Sequence, residues 1–157
     1  MIDSSNVISI IGGQWGDEGK GKIVDFLSEG ADYCIRFQGG SNAGHTILFD
    51  GVEYRLRLMP SGVLRGATGI LGAGMVVNLD VLSKEMVDLK SIDPDLFIDH
   101  RAHLVLPTHI FKDVCREEAS GNRIGTTRNG IGVCYEDKAR RIGLRAETFY
   151  LKTWSLK

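Results

Sequence analysis

Cysteine is scarce in this chain. Cys34, Cys115 and Cys134 are three among 157 residues, odd in number and widely spaced. No CxxC pair occurs, which argues against a disulfide scaffold or a cysteine-based zinc site. Reduced thiols of a cytoplasmic protein are the expectation. Excess charge is missing too: the net charge of −1 argues against nucleic-acid binding through bulk electrostatics. No apolar run approaches the ~20 residues of a membrane span. The N-terminus carries Asp3 and no basic segment, so no signal peptide is expected. There is no repeat, low-complexity tract or clear domain boundary. With 43% hydrophobic and 25% charged residues, residues 1–157 read as one soluble domain with a real core.

Glycine is abundant, 20 residues against a typical share of about 7%. The glycines gather at 12–21, 39–44, 62–74 and 121–132, which suits tight or functional loops. Residues 12–22 read GGQWGDEGKGK. They lie between an apolar run at 7–11, read as a buried strand, and a helix at 20–28 with Ile23, Val24, Phe26 and Leu27 inward. A strand that breaks into glycines and enters a helix offers backbone N–H groups and a partial positive charge to phosphate. Lys20 and Lys22 add full charges. The acids Asp17 and Glu18 repel phosphate unless one binds metal or moves a proton. Five residues separate Gly13 from Gly19, and Gly21 follows Lys20. The loop therefore departs from the GxxxxGK[ST] pattern and lacks its magnesium-binding hydroxyl. Asp17 could replace that hydroxyl as a hard oxygen ligand. The other reading is a glycine-rich turn with a helix-capping acid.

Residues 33–37 read as a second strand, entering a second glycine loop, Gln38-Gly39-Gly40-Ser41-Asn42-Ala43-Gly44-His45-Thr46. Strand, loop, helix, strand and loop in succession predict an α/β fold, a mainly parallel sheet with flanking helices. Ligands collect where the strands end. The two loops should face one crevice, where His45 could act as a general acid or donate to developing charge, or be merely structural. Residues 46–49 and 52–58 predict a hairpin turning on Asp50-Gly51. A buried strand follows at 70–77, then a helix capped by Asn78 or Asp80 with Val81, Leu82, Met86 and Leu89 on one face. Short strands follow at 96–98 and 104–106. A helix at 108–120 points Ile110, Phe111, Val114 and Cys115 inward and stops at Gly121. His100 and His103 lack the partners of a metal set. The loop from Arg123 to Gly132 offers hydroxyls, amides and a cation to an anion. A short basic helix at 135–141 is either part of that site or a solvated face.

These residues resemble one family, adenylosuccinate synthetase. The first signature is Gln14-Trp15-Gly16-Asp17-Glu18-Gly19-Lys20-Gly21-Lys22. The second is Gln38-Gly39-Gly40 with Asn42-Ala43-Gly44-His45-Thr46. Weaker echoes are Pro60-Ser61-Gly62, Arg101-Ala102-His103, Ile124-Gly125-Thr126-Thr127 and Tyr135-Glu136-Asp137-Lys138. The resemblance implies a P-loop-like nucleotide-binding fold. It also implies a two-step ligation: GTP phosphorylates the 6-oxygen of IMP, then L-aspartate displaces that phosphate to give adenylosuccinate, with Mg2+ as cofactor. Asp17 would take the N1 proton of IMP and bind magnesium, with the Gly44 carbonyl as a second ligand. His45 would be the general acid, and Lys20 would stabilise the transferred group. Gly16, Asp17, Glu18, Gly19, Lys20, Gly21 and Lys22, with Gly44, His45 and Thr46, would hold GTP. Asp17, Glu18, Gly19, Lys20, Asn42, Ala43, Gly44 and His45 would line the IMP site. Thr127 would contact its phosphate, and Arg141 would reach IMP across a homodimer. Some phage relatives use dGMP and change the base in the first loop; Asp17 is retained here.

The family enzyme is more than twice this length, so the resemblance implies an incomplete fold: a fragment, a truncated product or a short form. A module that binds nucleotide or dimerises without catalysis is the alternative, and a different phosphate-loop NTPase is a further one. The family loop Thr-Thr-Gly-Arg-Gly is changed, with Arg128 in place of glycine and Asn129 in place of arginine. Arg128 is expected to strain the loop if that glycine has φ > 0.

Overall fold

A computed structural model describes residues 6–14, 16, 18–119 and 125–149. The expected helix end at Ser120 and Gly121 lies outside these residues, as do Trp15, Asp17, Arg123 and Ile124. The elements run α1 (Lys20–Leu27), β1 (Tyr33–Gly39), β2 (His45–Phe49), β3 (Val52–Leu56), a 3-10 turn (Ser61–Arg65), β4 (Thr68–Val77), α2 (Leu79–Asp88), β5 (Leu96–Ile98), β6 (His103–Leu104), α3 (Pro107–Ala119) and α4 (Ile131–Ala139). Among the described residues no helix is long and apolar enough to cross a membrane.

The α/β expectation holds. β4 is the central strand and pairs in parallel with β1, β5 and β6. Its side chains Leu71, Met75 and Val77 are fully buried in one core with Leu56, Leu58, Met59 and Leu89, and Val76 packs in a second with Val105 and Cys134. Parallel pairing requires a crossover, and α2 supplies it between β4 and β5. Asn78 caps α2: its Oδ1 accepts from the amides of Asp80 at 3.0 Å and Val81 at 3.2 Å, worth about 1 kcal/mol. The hairpin β2–β3 forms as expected. Asp50 and Gly51, both at positive φ, make the turn between the paired residues Phe49 and Val52, as a two-residue primed turn requires.

Four expectations need correction. Residues 7–11 form no strand; Val7 and Ile11 are 83% and 75% exposed, and no sheet edge among the described residues pairs with them. In α1, Ile23 and Phe26 are exposed and the buried residue is Asp25. In α2, Met86 is exposed while Glu85 is buried. In α3, Phe111 and Cys115 face out, and the buried residues are His109, Asp113 and Glu117. The physical reason is common to the three helices. Each turns a polar residue toward backbone or arginine that must be satisfied, and an apolar neighbour, Phe26, Met86 or Phe111, faces away. Asp25 takes Arg65 in a two-point pair at 3.0 and 2.9 Å, and Arg65 in turn lies 5.1 Å from the centroid of Phe49. Glu85 accepts from the amides of Arg57, Leu58 and Met59 at 2.8 to 3.1 Å.

One face of the sheet is bare among the described residues. Tyr33, Ile35 and Phe37 alternate along β1 and are exposed. Ile35 pairs with Ile70, which pairs with exposed Phe97. Parallel sheets are normally covered on both faces.

The three thiols are free and differ in access. Cys34 and Cys134 are buried and Cys115 is exposed. Burial pushes the Cys134 thiol up to about 11, and its Sγ lies 3.4 Å from the Leu104 carbonyl. A maleimide reagent at neutral pH should therefore label one thiol in the folded chain, Cys115, and three after denaturation. Mass spectrometry of the labelled peptides checks this; rapid labelling of Cys134 would contradict the packing of α4.

Candidate functional site

The first loop wraps around its own carboxylate. Gly16 and Gly19 take positive φ, and the Gly19 carbonyl accepts the first amide bonds of α1, from Lys22 and Ile23. The Glu18 carboxylate accepts from the amides of Gln14 at 2.9 Å and Gly16 at 3.2 Å and pairs with the Lys20 ammonium. Lys20, followed by those backbone donors, holds the Glu18 carboxyl down to about 2. A Cβ on Gly12 would stand 2.5 Å from Lys20 Nζ and 2.7 Å from Glu18 Oε1. Two amides and an ammonium are the donors a phosphate oxygen needs, and here they converge on one oxyanion, that of Glu18. A helix start and anion-gathering amides thus coincide. Asp17 lies outside the described residues.

The second loop meets the first. β1 ends at Gly39, at φ +100, and the chain returns as β2 at His45. A Cβ on Gly21 would stand 2.7 Å from His45 Cβ and 2.8 Å from Cγ. This contact explains the sequence departure after Lys20: a serine or threonine there would collide with the imidazole. His45 is half-buried. Burial first, then the nearby Arg36 and Lys20 cations, lower its pKa. The neutral ring that results donates one N–H, a form suited to stabilising developing negative charge. Asn42, Ala43 and Gly44 are exposed beside it, and Ser41 is buried.

The base of this loop is tied from three sides. Arg36 bonds to the carbonyls of Arg57 and, at 3.5 Å, Gly40. The Tyr135 hydroxyl accepts from the Gly39 amide at 2.8 Å and donates to the Gly74 carbonyl at 2.9 Å. It sits where the β1–β4 register slips between Arg36 and Gln38. Lys138 donates to the Ala73 carbonyl at 2.6 Å. The expected basic helix is thus α4, beginning earlier than residue 135, and its Tyr135 and Lys138 anchor the sheet. The Pro60-Ser61-Gly62 echo also packs the site: Ser61 Oγ donates to the Gly21 carbonyl at 3.2 Å, and Gly62 lies against Cys34 and Ser28.

The third loop, 125–130, joins the second through Gly40. A Cβ on Gly40 would stand 2.7 Å from Ile131 Cδ1, at the start of α4. Thr127 is exposed, and its Oγ1 accepts from Asn129 Nδ2 at 3.1 Å. Arg128 has φ +55, the left-handed conformation expected at a glycine position. Arg141, at φ +62, follows the C-terminus of α4, about 13 Å of helix away from Ile131. The structure therefore sets the first loop against the second, and the second against the start of α4, where the third loop ends; Arg141 lies past the other end of that helix.

Sequence reasoning missed Arg36, Glu85, Asp113, Glu117 and the anchoring role of Tyr135. One signal was available: His109, Asp113 and Glu117 recur every four residues, one face of a helix.

A sequence profile described as adenylosuccinate synthetase matches residues 9–155. An adenylosuccinate synthetase from Borrelia turicatae is 50% identical over 144 residues, 90% of this chain and 34% of that protein. The fully ligated adenylosuccinate synthetase of Plasmodium falciparum superposes with a TM-score of 0.82 at 44% identity, over 92% of this chain and 35% of that one. The cyanophage S-2L succinoaminodeoxyadenylate synthetase, bound to dGMP and dATP, superposes with a TM-score of 0.69 at 28% identity, over 86% of this chain and 39% of that one. The chain spans about a third of the length of the curated relatives it matches.

Two expected outcomes follow from the loop geometry. Gly21→Ala should cost about 1–3 kcal/mol, as overpacking does, whereas Gly13→Ala, facing open space, should stay within about 0.5 kcal/mol. Arg128→Gly should gain about 1 kcal/mol by removing a left-handed side chain. Urea denaturation of the three variants measures all of this; a neutral Gly21→Ala would break the Gly21–His45 contact as an explanation.

Proposed function

Because this chain belongs to the adenylosuccinate synthetase family, we propose that it carries the phosphoryl-transfer half of the GTP-dependent ligation of IMP and L-aspartate to adenylosuccinate. The observation that carries this reading is the Gly21–His45 contact, which sets the two signature motifs against each other. The higher identity to the Plasmodium enzyme than to the dGMP-bound phage enzyme supports IMP as the acceptor.

In this reading the residues 16–22 hold the GTP phosphates, with Gly44, His45 and Thr46 closing over them. The Glu18 carboxylate yields the amides of Gln14 and Gly16 to a phosphate oxygen. Asp17 takes the N1 proton of IMP, so that O6 attacks the γ-phosphorus and GDP leaves. Lys20 balances charge on the transferred group, and the His45 N–H stabilises it. The aspartate amine then attacks C6, and phosphate departs with O6. Asn42 and Ala43 line the IMP side with Glu18, Gly19 and Gly44, and Thr127 meets the IMP phosphate. Arg141, just beyond the end of α4, reaches the IMP of a second copy in this reading, which makes the assembly a homodimer.

Magnesium fits the donors this reading assigns to it. The Asp17 carboxylate and the Gly44 carbonyl are hard oxygens that leave further positions to phosphate oxygens, the usual magnesium arrangement. Bound there, the ion neutralises phosphate charge.

The third-length coverage of the relatives favours a second reading, a nucleotide-binding or dimerising module without turnover. With GTP, IMP, L-aspartate and magnesium, the absorbance of adenylosuccinate should rise, and Asp17→Ala should abolish the rise. Calorimetry should detect IMP and GTP binding to the same chain. Binding without turnover selects the second reading, and absence of both overturns both.

A further inference from the structure

Three buried side chains of α3 stand one turn apart and hold a chain segment that runs antiparallel to the helix. His109 Nε2 lies 3.2 Å from Asp137 Oδ2 in α4. Asp113 Oδ2 accepts from the Gly130 amide at 2.9 Å. Glu117 Oε1 accepts from the Gly125 amide at 2.7 Å. As α3 advances from 109 to 117, its partner recedes from 137 to 125. All three residues are buried.

We infer that Asp113 and Glu117 are positioning residues for the loop 125–130, fixing the shape in which it presents Thr126 and Thr127 to the phosphate of a nucleoside monophosphate. Residues four apart on a helix are separated by about 6 Å along its axis. Six residues of extended chain would span about 20 Å. Holding both loop ends over one helical repeat makes the residues between them bow away from α3. Gly125 and Gly130, both at positive φ, make the two bends. The carboxylates consume the end amides, so the groups left to face a ligand are those of the bow. The Thr126 hydroxyl is buried and has no hydrogen-bond partner among the described residues, and Thr127 is exposed beside it. His109 extends the same clamp to α4, whose Tyr135 ties down Gly39. The loop is thereby set relative to the second signature.

Neither carboxylate touches the ligand in this arrangement. Each acts through one amide of the loop. Glu117→Gln and Asp113→Asn keep an acceptor oxygen in place, while Glu117→Ala and Asp113→Ala remove it and leave a buried amide unsatisfied.

The inference rests on the nucleotide reading given above for its ligand, and the test separates the two. In the wild-type chain the Gly125 and Gly130 amide protons should exchange slowly by NMR, and in the matching alanine variants quickly. By calorimetry the alanine variants should bind IMP about ten-fold more weakly and GTP within about two-fold of wild type. The amide-bearing variants should restore slow exchange and most of the IMP affinity. Unchanged exchange in the alanine variants, or equal losses for IMP and GTP, overturns the positioning role. If the wild-type chain binds no IMP, the nucleotide reading fails, and the exchange rates alone decide the clamp.

Discussion

A buried carboxylate can be tolerated only where donors surround it, because transfer of an unpaired charge from water is costly. This structure applies that constraint on α1, α2 and α3. Asp25 on α1 holds Arg65, and Glu85 on α2 gathers three consecutive amides beyond β3. Asp113 and Glu117 on α3 hold the ends of the third loop. Glu85, Asp113 and Glu117 each fix a backbone segment that has no sheet partner. The glycine loops are ordered from behind in this way, while their outward groups stay available.

Close approach is the second ingredient. Gly21 admits the His45 ring, and Gly40 admits Ile131. At both places a Cβ would overlap its neighbour, so glycine there serves contact between loops, whereas Gly39 and Gly130 serve turning. The hairpin β2–β3 leaves and returns at a single guanidinium, because Arg36 bonds to the carbonyls of both Gly40 and Arg57. His45 begins that hairpin. Its place over α1 therefore depends on Arg36, on Glu85 behind residues 57–59, and on Tyr135 at the strand slip.

The apolar surface follows a different logic. Among the described residues Tyr33, Ile35, Phe37 and Phe97 share an uncovered sheet face, and Val7, Ile8 and Ile11 lie exposed before the first loop. The relatives are about three times the length matched here. The outward apolar positions of α1 and of residues 7–11 are those from which an inward helix face and a buried strand were read, so apolar patterning located surface to be covered, without saying by what.

The chain order of strands and helices from α1 onward, the Asp50-Gly51 hairpin, the Asn78 cap and the two signature loops were legible in the sequence, while the strand read at 7–11 does not form. Turn chemistry, capping and glycine spacing are local properties, and local properties are written in neighbouring residues. The strain at Arg128 was legible as well, through the glycine it replaces. The inward faces of α1 and α3 were not legible, because which side of a helix is buried depends on what packs against it; in α2, Val81, Leu82 and Leu89 pack inward as read and Met86 does not. Here that is a guanidinium for Asp25 and loop backbone seeking acceptors for Glu85, Asp113 and Glu117. The meeting of Gly21 with His45, and of Gly40 with Ile131, joins residues 24 and 91 positions apart. Only the tertiary structure decided those contacts, because each depends on the parallel pairing of β1 with β4 and on the anchoring of α4 across the end of the sheet.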